Sequence, residues 1–223
     1  MEIRQAQRED AAFLAWLILT AGRAHVRKGI WDVILDRTDE EHLSFLQLLA
    51  VTRIPHLFHY SCYLLAEMND KPVAGLGGYD PRSLGYAALR RALPEVFQKS
   101  GVVGQAPQPS ERAARVIDCI PDEVEGAWVI DSVATLPEFR RRGIVDMLLG
   151  AILDRGRGQG FARAQINMYI GNIPAQRAYE KQGFKVLDEK RCADFEREIG
   201  SPGMARLIRD LYSPTPPTNA RTP

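Results

Sequence analysis

An arginine-rich turn over residues 137–145 is the part of the sequence whose composition most clearly indicates chemistry. It contains three consecutive arginines followed by Gly143, and it joins a strand pattern over residues 128–135 to a helical pattern over 144–155. The first N–H groups of a helix have no internal acceptor and lie at the positive end of the helix dipole, so a turn in this position can bind phosphate. Gly143 permits a positive φ or a close approach of the backbone to a ligand.

The local charge supports a phosphate site. Residues 138–165 contain six arginines and three acidic residues, a balance of +3 in a chain whose formal net charge is +1. A solvated basic face and a nucleic-acid contact are the alternatives, and the second predicts DNA binding that weakens steeply with salt. A P-loop motif is absent, and no helix-opening pattern follows Gly75, Gly77 and Gly78, which argues against a dinucleotide-binding fold. The strand before the turn and the helix after it favour phosphate.

Two blocks of the sequence resemble the signatures of the GNAT superfamily of N-acetyltransferases. The run VATLPEFRRRGIV is similar to the acetyl-CoA signature Q/R-x-x-G-x-G/A, with Arg140 at its first position, Gly143 at its fourth and Val145 where glycine or alanine is usual. Residues 171–184 resemble the second block, NxxAxxxYxxxGF, and the two blocks with the elements between them cover residues 128–190. Valine keeps the backbone N–H that the family uses, so altered cofactor affinity rather than lost binding is expected.

The resemblance implies the fold and the cofactor site. The fold is α/β (α+β), with a central, mixed, mostly antiparallel twisted sheet that contains a splayed parallel strand pair and is flanked by helices. Acetyl-CoA, as co-substrate, would lie between the strands 128–135 and 164–170, with its pantetheine on the first strand and its pyrophosphate at the turn. The cofactor-binding residues that the resemblance implies are Val133, Ala134, Thr135, Arg140, Arg141, Arg142, Gly143, Ile144, Val145, Asn172, Ala175 and Tyr179.

Asp131 is the candidate general base. It interrupts an apolar strand, where a charge is costly without a partner or a purpose. An alkylamine with a pKa of about 10.4 is mostly protonated at neutral pH, so direct attack of an amine on the thioester needs a base. The alternative role for Asp131 is a structural carboxylate paired with an arginine, and Glu125 or a chain of waters could be the base instead.

Tyr179 matches the tyrosine of the second block, and the resemblance implies that it is the acid for the departing thiolate. The alternative is an aromatic residue on a helix face that packs with Ala175 and Ala178. Asn172 either contacts the cofactor or caps the helix that follows it. Helical spacing places Asn172, Ala175 and Tyr179 near one face.

Periodicity predicts the elements that position these residues. Before the turn, it predicts a strand over residues 1–6, a helix from Ala11 capped by Asp10, a helix over 39–52, and a hairpin of 63–68 and 72–79. After the helix that follows the turn, it predicts a strand over 164–170, a helix over 174–182 and a strand over 184–187. Residues 80–127 are interpreted as an insertion with a helix over 84–97, either a binding surface or an excursion without function. Residues 213–223 are rich in proline and are predicted to be disordered.

The composition favours a single domain over residues 1–212. The chain has 223 residues, 45% of them apolar, and its net charge of +1 gives no general attraction to nucleic acid or membrane. The three cysteines, Cys62, Cys119 and Cys192, show no CxxC spacing and are interpreted as reduced thiols, and the four histidines form no metal-binding pattern. Residues 1–10 lack the apolar run of a secretory leader, so a cytoplasmic protein is expected.

These patterns predict an N-acetyltransferase that acts on a primary amine of a small molecule or peptide through a ternary complex. A non-catalytic acyl-CoA sensor is the alternative function. The acceptor should be recognised by residues 23–60, 80–127 and the segment after Lys190, which neither block covers. Trp31, Phe58, Tyr79 and Tyr86 could line its site or belong to the core. A homodimer is left open, and no metal, nucleic acid or membrane is expected as a partner.

Overall fold

A computed structural model describes residues 1–100 and 109–212 of the chain. Its strands are β1 (Glu2–Gln5), β2 (Tyr63–Met68), β3 (Lys71–Tyr79), β4 (Ala127–Thr135), β5 (Arg163–Tyr169), β6 (Lys185–Arg191) and β7 (Gly203–Asp210). Its helices are α1 (Ala11–Arg23), α2 (Ile30–Leu35), α3 (Asp39–Ala50), α4 (Pro81–Leu84), α5 (Tyr86–Lys99), α6 (Glu111–Ile117), α7 (Ile144–Gly158), α8 (Ile173–Lys181) and α9 (Ala193–Ile199).

The seven strands form one sheet in the order β1-β2-β3-β4-β5-β7-β6. Among the described strands, neighbours are antiparallel except for β4 and β5, which are parallel. These two strands pair over Ala127–Ile130 and Arg163–Ile166 and then separate, although both continue. The predicted mixed, mostly antiparallel sheet with a splayed parallel pair is therefore confirmed.

A β-bulge in β4 coincides with the separation. Gly77 of β3 lies opposite Asp131, whereas Gly75 lies opposite Ala134, so one residue of β3 faces two of β4. Ser132, inside the bulge, has a φ of 54°. A bulge bends its strand and changes the direction of the side chains, and here it does so where β4 leaves β5.

The sheet separates two apolar layers. On one face, Leu148 and Ile152 of α7 belong to one buried cluster with Trp128 and Ile130 of β4. On the other face, α1 and α3 contribute to a second cluster that includes Val129. Successive residues of β4 thus point to opposite faces, as strand geometry requires. Packing on both faces fixes the strand that leads into the arginine-rich turn.

The segment between β3 and β4 is more helical than its sequence pattern indicates. The predicted helix over 84–97 is observed as α5, and a short helix, α4, precedes it. Asp80 is the N-cap of α4, and its side chain accepts a hydrogen bond from the Arg82 N–H at 3.0 Å. Residues 101–108 lie outside the described part of the chain, and α6 follows them.

Several element predictions need correction. Asp10 precedes α1, but its side chain accepts from the Gln7 N–H at 2.7 Å and from Arg4 at 2.8 Å instead of capping the helix. The sequence patterns do not indicate α2, α9 or β7. The last predicted strand, 184–187, is observed as the longer β6. The prediction stopped too early because β6 is an exposed edge strand whose sequence has no apolar alternation. The predicted disorder of residues 213–223 lies outside the described residues.

Two of the three cysteines form a disulfide, so the prediction of reduced thiols is wrong for them. Cys119, just after α6, is bonded to Cys192, at the start of α9, with their Cα atoms 6.0 Å apart. The two residues are 73 positions apart in the sequence, and the fold alone brings them together. Cys62 is a buried free thiol.

Among the helices described here, none is long and apolar enough to cross a membrane.

Candidate active site

A cavity of about 1660 Å³ opens where β4 and β5 separate. Ile130 and Asp131 line it from β4, and Ile166 and Asn167 line it from β5. The cavity continues in two directions, toward the arginine-rich turn and toward the aromatic residues of α2, α3 and α5. The same cavity therefore borders the arginine-rich turn, Asp131 and this aromatic region.

The arginine-rich turn has the backbone geometry of an anion site. Gly143 begins α7 with a φ of 76°, a left-handed conformation that favours glycine. A Cβ atom at this position would meet nothing within 4 Å, so the conformation and not crowding explains the glycine. None of the N–H groups of residues 141–146 donates to a backbone carbonyl in the described part of the chain. These donors lie at the positive end of the α7 dipole.

The three arginines of the turn have different contacts. Arg140 donates from Nε to the carbonyl oxygen of Thr135 at 3.2 Å, and Arg142 donates to the carbonyl of Glu138 at 2.9 Å. The Arg142 guanidinium also lies 5.2 Å from the centre of the Phe139 ring. Arg141 is exposed, and its side chain has no hydrogen bond or ion pair to any residue the structure describes. Arg140 and Arg142 thus hold the turn, whereas Arg141 is available to an anion.

Almost all of the residues proposed to bind the cofactor surround the cavity. The exception is Arg142, which does not line the cavity and whose guanidinium lies over the Phe139 ring. The cavity-lining members of the predicted set are Val133, Ala134, Thr135, Arg140, Arg141, Gly143, Ile144, Val145, Asn172, Ala175 and Tyr179. Their role in cofactor binding remains a prediction.

Asp131 lines the cavity without a cationic partner. Its Oδ1 accepts a hydrogen bond from the Ser132 hydroxyl at 3.1 Å. No arginine, lysine or histidine of the described chain forms an ion pair with it, so the alternative of an arginine-paired structural acid is not observed. Burial raises the pKa of Asp131 above its ordinary value. A carboxylate with a raised pKa is a better proton acceptor than an ordinary one.

A second carboxylate, Glu123, lies at the same cavity and was not identified from the sequence. The buried Tyr79 hydroxyl donates to Glu123 Oε1 at 3.0 Å. Burial raises the pKa of Glu123, and the negative charge of Asp131 adds to this rise. The neighbouring Glu125, named from the sequence as an alternative base, does not line the cavity.

The loop that carries Glu123 is held by Gln165 of β5. The Val124 N–H donates to Gln165 Oε1 at 2.6 Å, and Arg206 donates to the Asp122 carbonyl at 2.8 Å. These contacts join residues about 40 or more positions apart. A local sequence pattern does not indicate such contacts. The one feature of the sequence that could have indicated Glu123 is a charged residue shortly before the apolar strand β4.

Tyr179 and Asn172 are positioned by α8. Tyr179 is 7% exposed, lines the cavity, and has its ring centre 6.4 Å from that of Phe184. Burial and, to a smaller extent, the charge of Asp131 raise the pKa of Tyr179, so its hydroxyl remains protonated. The Asn172 side chain accepts from the Ala175 N–H at 3.3 Å, which is the predicted cap of the helix.

One cluster outside the cavity has side chains spaced like metal ligands. Asp32, Asp39 and His42 lie close enough together for this. The guanidinium of Arg23 donates to both carboxylates, to Asp32 at 2.6 Å. His42 is buried, and burial lowers its pKa. Arg23 forms ion pairs with both acids, and we assign no ion to them.

Comparison with known proteins places this geometry among acetyltransferases. The model of the acetyltransferase (GNAT) family matches residues 31–184. A solved acetyltransferase structure aligns with a TM-score of 0.67 at 19% identity, covering 95% of this chain and 100% of that one. An N-acetyltransferase from Staphylococcus aureus Mu50 aligns with a TM-score of 0.67 at 20% identity, covering 94% and 100%.

A more distant structure was solved with a ligand. The protein yncA from Salmonella typhimurium, with its cofactor acetyl-CoA, aligns with a TM-score of 0.53 at 16% identity and covers 99% of both chains. At these identities the structural comparisons show the fold alone. No protein with a curated description matches the sequence.

Proposed function

Because this chain belongs to the GNAT acetyltransferase family, we propose that it transfers the acetyl group of acetyl-CoA to a primary amine of a small molecule or peptide. Both reactants bind together, and the amine attacks the thioester directly. One observation supports this most strongly. The turn with free N–H groups, the opening between β4 and β5, Asp131 and Tyr179 all border the same cavity.

The donor site is formed by β4 and the turn. After Ile130, β4 no longer pairs with β5, and its backbone groups on that side can bind the amides of pantetheine. Thr135 lines the cavity, and its buried hydroxyl has no hydrogen-bond partner in the described part of the chain. A buried hydroxyl without a partner is costly, and a ligand that reaches it removes this cost. The N–H groups of residues 141–145 and the Arg141 side chain bind the pyrophosphate.

Residues near the point where β4 and β5 separate carry out the proton transfers. Asp131 accepts one proton from the ammonium group, and the free amine then attacks the acetyl carbon to form a tetrahedral intermediate. The bond from that carbon to sulfur breaks as the nitrogen loses its second proton, which replaces the proton that Tyr179 gives up. A backbone N–H of β4 stabilises the negative charge that develops on the acetyl oxygen. Tyr179 donates its proton to the departing thiolate. The products are an N-acetylated amine and CoA with a free thiol.

A thiol-release assay with acetyl-CoA and a panel of amines tests this function. We expect turnover with at least one amine, and a loss of turnover without a loss of CoA affinity in Tyr179→Phe. CoA binding without turnover on any amine would instead support an acyl-CoA sensor. Salt-dependent binding to duplex DNA that CoA displaces at the same arginines would support a nucleic-acid site.

The cellular location, the partners and the oligomeric state are predicted from the sequence alone. We propose a cytoplasmic protein that acts without a metal, nucleic acid or membrane partner, and a homodimer is left open. The Cys119–Cys192 disulfide is instead typical of an oxidising compartment, so the two features make opposite predictions for the location. Fractionation of cells and light scattering of the purified protein test the location and the oligomeric state, respectively.

A further inference from the structure

The cavity beyond Asp131 has a second, apolar arm. We define the acceptor arm by six side chains that line it, from α2, α3, α5 and the loop after α3: Trp31, Phe45, Phe58, Leu89, Leu93 and Phe97. All six also belong to or pack against one apolar cluster. Trp31 packs against Phe58 with ring centres 5.1 Å apart, and Phe45 packs against Phe97 at 5.8 Å. The arm is therefore lined by aromatic and aliphatic side chains that pack against one another.

The inner end of the acceptor arm is acidic. Asp131, Glu123 and the hydroxyl of Tyr79 meet there, and the Tyr79 hydroxyl donates to Glu123 at 3.0 Å. Neither carboxylate forms an ion pair with a cationic residue that the structure describes. The other acids of the chain that lie beside arginines, such as Asp10 and Asp80, are neutralised by them. Two carboxylates without a cationic partner beside apolar walls can bind the cationic group of a ligand.

The outer end of the acceptor arm carries both charge signs. Asp36, Arg37 and Arg90 are exposed there, and Arg37 lies 3.9 Å from Glu41. His25 and Asp122 also line the cavity. Exposed charges of mixed sign are screened by water and salt and contribute little to selection. Recognition is therefore assigned to the aromatic walls and to the acidic inner end.

We infer that the acceptor is an arylalkylamine, a primary amine whose single cationic head lies between Asp131 and Glu123 and whose aromatic body fills the acceptor arm. This inference rests on the proposed acetyl transfer, because it names the acceptor of that reaction. Stacked and edge-to-face aromatic contacts favour a flat ring in the channel. The ammonium group replaces the missing counterion of the two carboxylates and is placed beside the base.

The same geometry disfavours other common amines. An α-amino acid places a carboxylate next to its amine, where Asp131 and Glu123 would repel it. A diamine or polyamine would place a second ammonium in the apolar arm without a counterion, where the loss of hydration is not compensated. A peptide N-terminus would bury backbone amides against Trp31 and Phe45, which offer no matching hydrogen-bond acceptors along their ring faces.

Three matched acceptors test the inference. Phenylalanine is 2-phenylethylamine with one added carboxylate. In 1,4-diaminobutane, an aminoethyl group with a second ammonium replaces the ring. We expect kcat/KM for 2-phenylethylamine to exceed that for either of the other two by about 100-fold, as the loss of about 3 kcal/mol of binding predicts. Equal or faster acetylation of phenylalanine or the diamine would overturn the inference and leave the proposed function intact.

Binding to the CoA-loaded protein separates failure of the inference from failure of the proposed function. If no amine is acetylated although CoA binds, acetyl transfer is overturned. Calorimetry of the CoA complex then still decides the inference. Binding of 2-phenylethylamine in preference to phenylalanine supports the assigned site, and equal or no binding of both contradicts it.

Variants test the two ends of the acceptor arm. Leu93→Trp fills the arm and should lower kcat/KM for 2-phenylethylamine at least about 10-fold more than it lowers kcat/KM for ethylamine. Leu48→Trp, on α3 but facing away from the cavity, is the matched control and should change neither. Glu123→Gln should raise KM for 2-phenylethylamine more than it lowers kcat. A uniform effect of Leu93→Trp on both amines would contradict the assignment.

Discussion

At the scale of single residues, the acids of this protein fall into two groups. Arg4 lowers the pKa of Asp10, and Arg82 lowers the pKa of Asp80. In contrast, burial raises the pKa values of Glu123 and Asp131, which line the cavity. Raised carboxyl pKa values at a cavity are typical of groups that transfer protons or bind cations.

Replacement of Asp131 tests its role as base. We expect Asp131→Asn to lower kcat/KM about 100-fold or more at neutral pH, because the proton acceptor is lost. Affinity for CoA should be unchanged, since Asp131 lies at the acceptor side of the strand opening. Glu125→Gln is the matched control, because Glu125 does not line the cavity. Comparable losses in both variants would contradict the assignment.

The raised pKa of Asp131 predicts how activity and stability depend on pH. The base acts when ionised, so kcat/KM should fall on the acid side with an apparent pKa above the ordinary carboxyl value of 3.8. Because the folded chain binds this proton more tightly than the unfolded one, the free energy of unfolding decreases as pH rises between the two pKa values. Asp131→Asn should therefore have an equal or higher Tm at neutral pH, measured by thermal unfolding. A lower Tm would show a structural role.

Arg141 differs from its neighbours in having a free side chain, which predicts a specific effect on affinity. Arg141→Ala should raise the Kd for CoA about 10-fold, since one charge-assisted contact to phosphate is lost. The Tm should not change, because Arg141 has no side-chain partner in the described chain. Arg91→Ala, an exposed arginine outside the cavity, is the control for net charge. An equal loss of affinity in both variants would contradict a local role.

At the scale of elements, α7 both begins at the proposed anion site and packs on the sheet. Its glycines show where this packing is tight. A Cβ atom at Gly156 would lie 2.9 Å from the Trp128 ring, whereas one at Gly150 would meet nothing within 4 Å. The position of α7, and so of the N–H groups at its start, depends on this contact with β4.

The two glycines make a matched prediction. We expect Gly156→Ala to lower the free energy of unfolding by about 1–3 kcal/mol, because Trp128 must move. Gly150→Ala should leave it unchanged or raise it by up to about 1 kcal/mol, because alanine favours the helix. Denaturant unfolding measures both. A similar change in the two variants would mean that the contact with Trp128 does not position the helix.

Local patterns explain which elements the sequence could predict. The turn at Arg140–Gly143 and the cap at Asn172 follow from residues that are adjacent along the chain, and the structure has them where expected. Glu123 and Tyr79 are 44 positions apart, and their meeting depends on the whole sheet. The edge strand β6 lacks apolar alternation because it faces solvent. Contacts between distant segments therefore account for what was missed.

At the scale of the whole molecule, the disulfide joins the segment before β4 to the segment before β7. A cross-link that spans 73 residues restricts the unfolded chain and can contribute about 4 kcal/mol to the free energy of unfolding. It also ties α6, close to the loop of Glu123, to α9.

Reduction of the disulfide should therefore destabilise the protein. We expect a reductant to lower the Tm by roughly 10 °C. The double variant Cys119→Ser and Cys192→Ser should have the lower Tm from the start and should not respond to reductant. A response in that variant, or none in the native chain, would contradict the cross-link.

The parting of β4 and β5 also has a mechanical consequence. Four residue pairs join these strands, so the sheet consists of a four-stranded half and a three-stranded half connected by a short hinge. Acetyl-CoA bound as proposed, between the two halves, would take the place of the missing strand pairing and hold the halves together. The amide hydrogens of β4 beyond Ile130 should then exchange with deuterium rapidly in the free protein and slowly when acetyl-CoA is added.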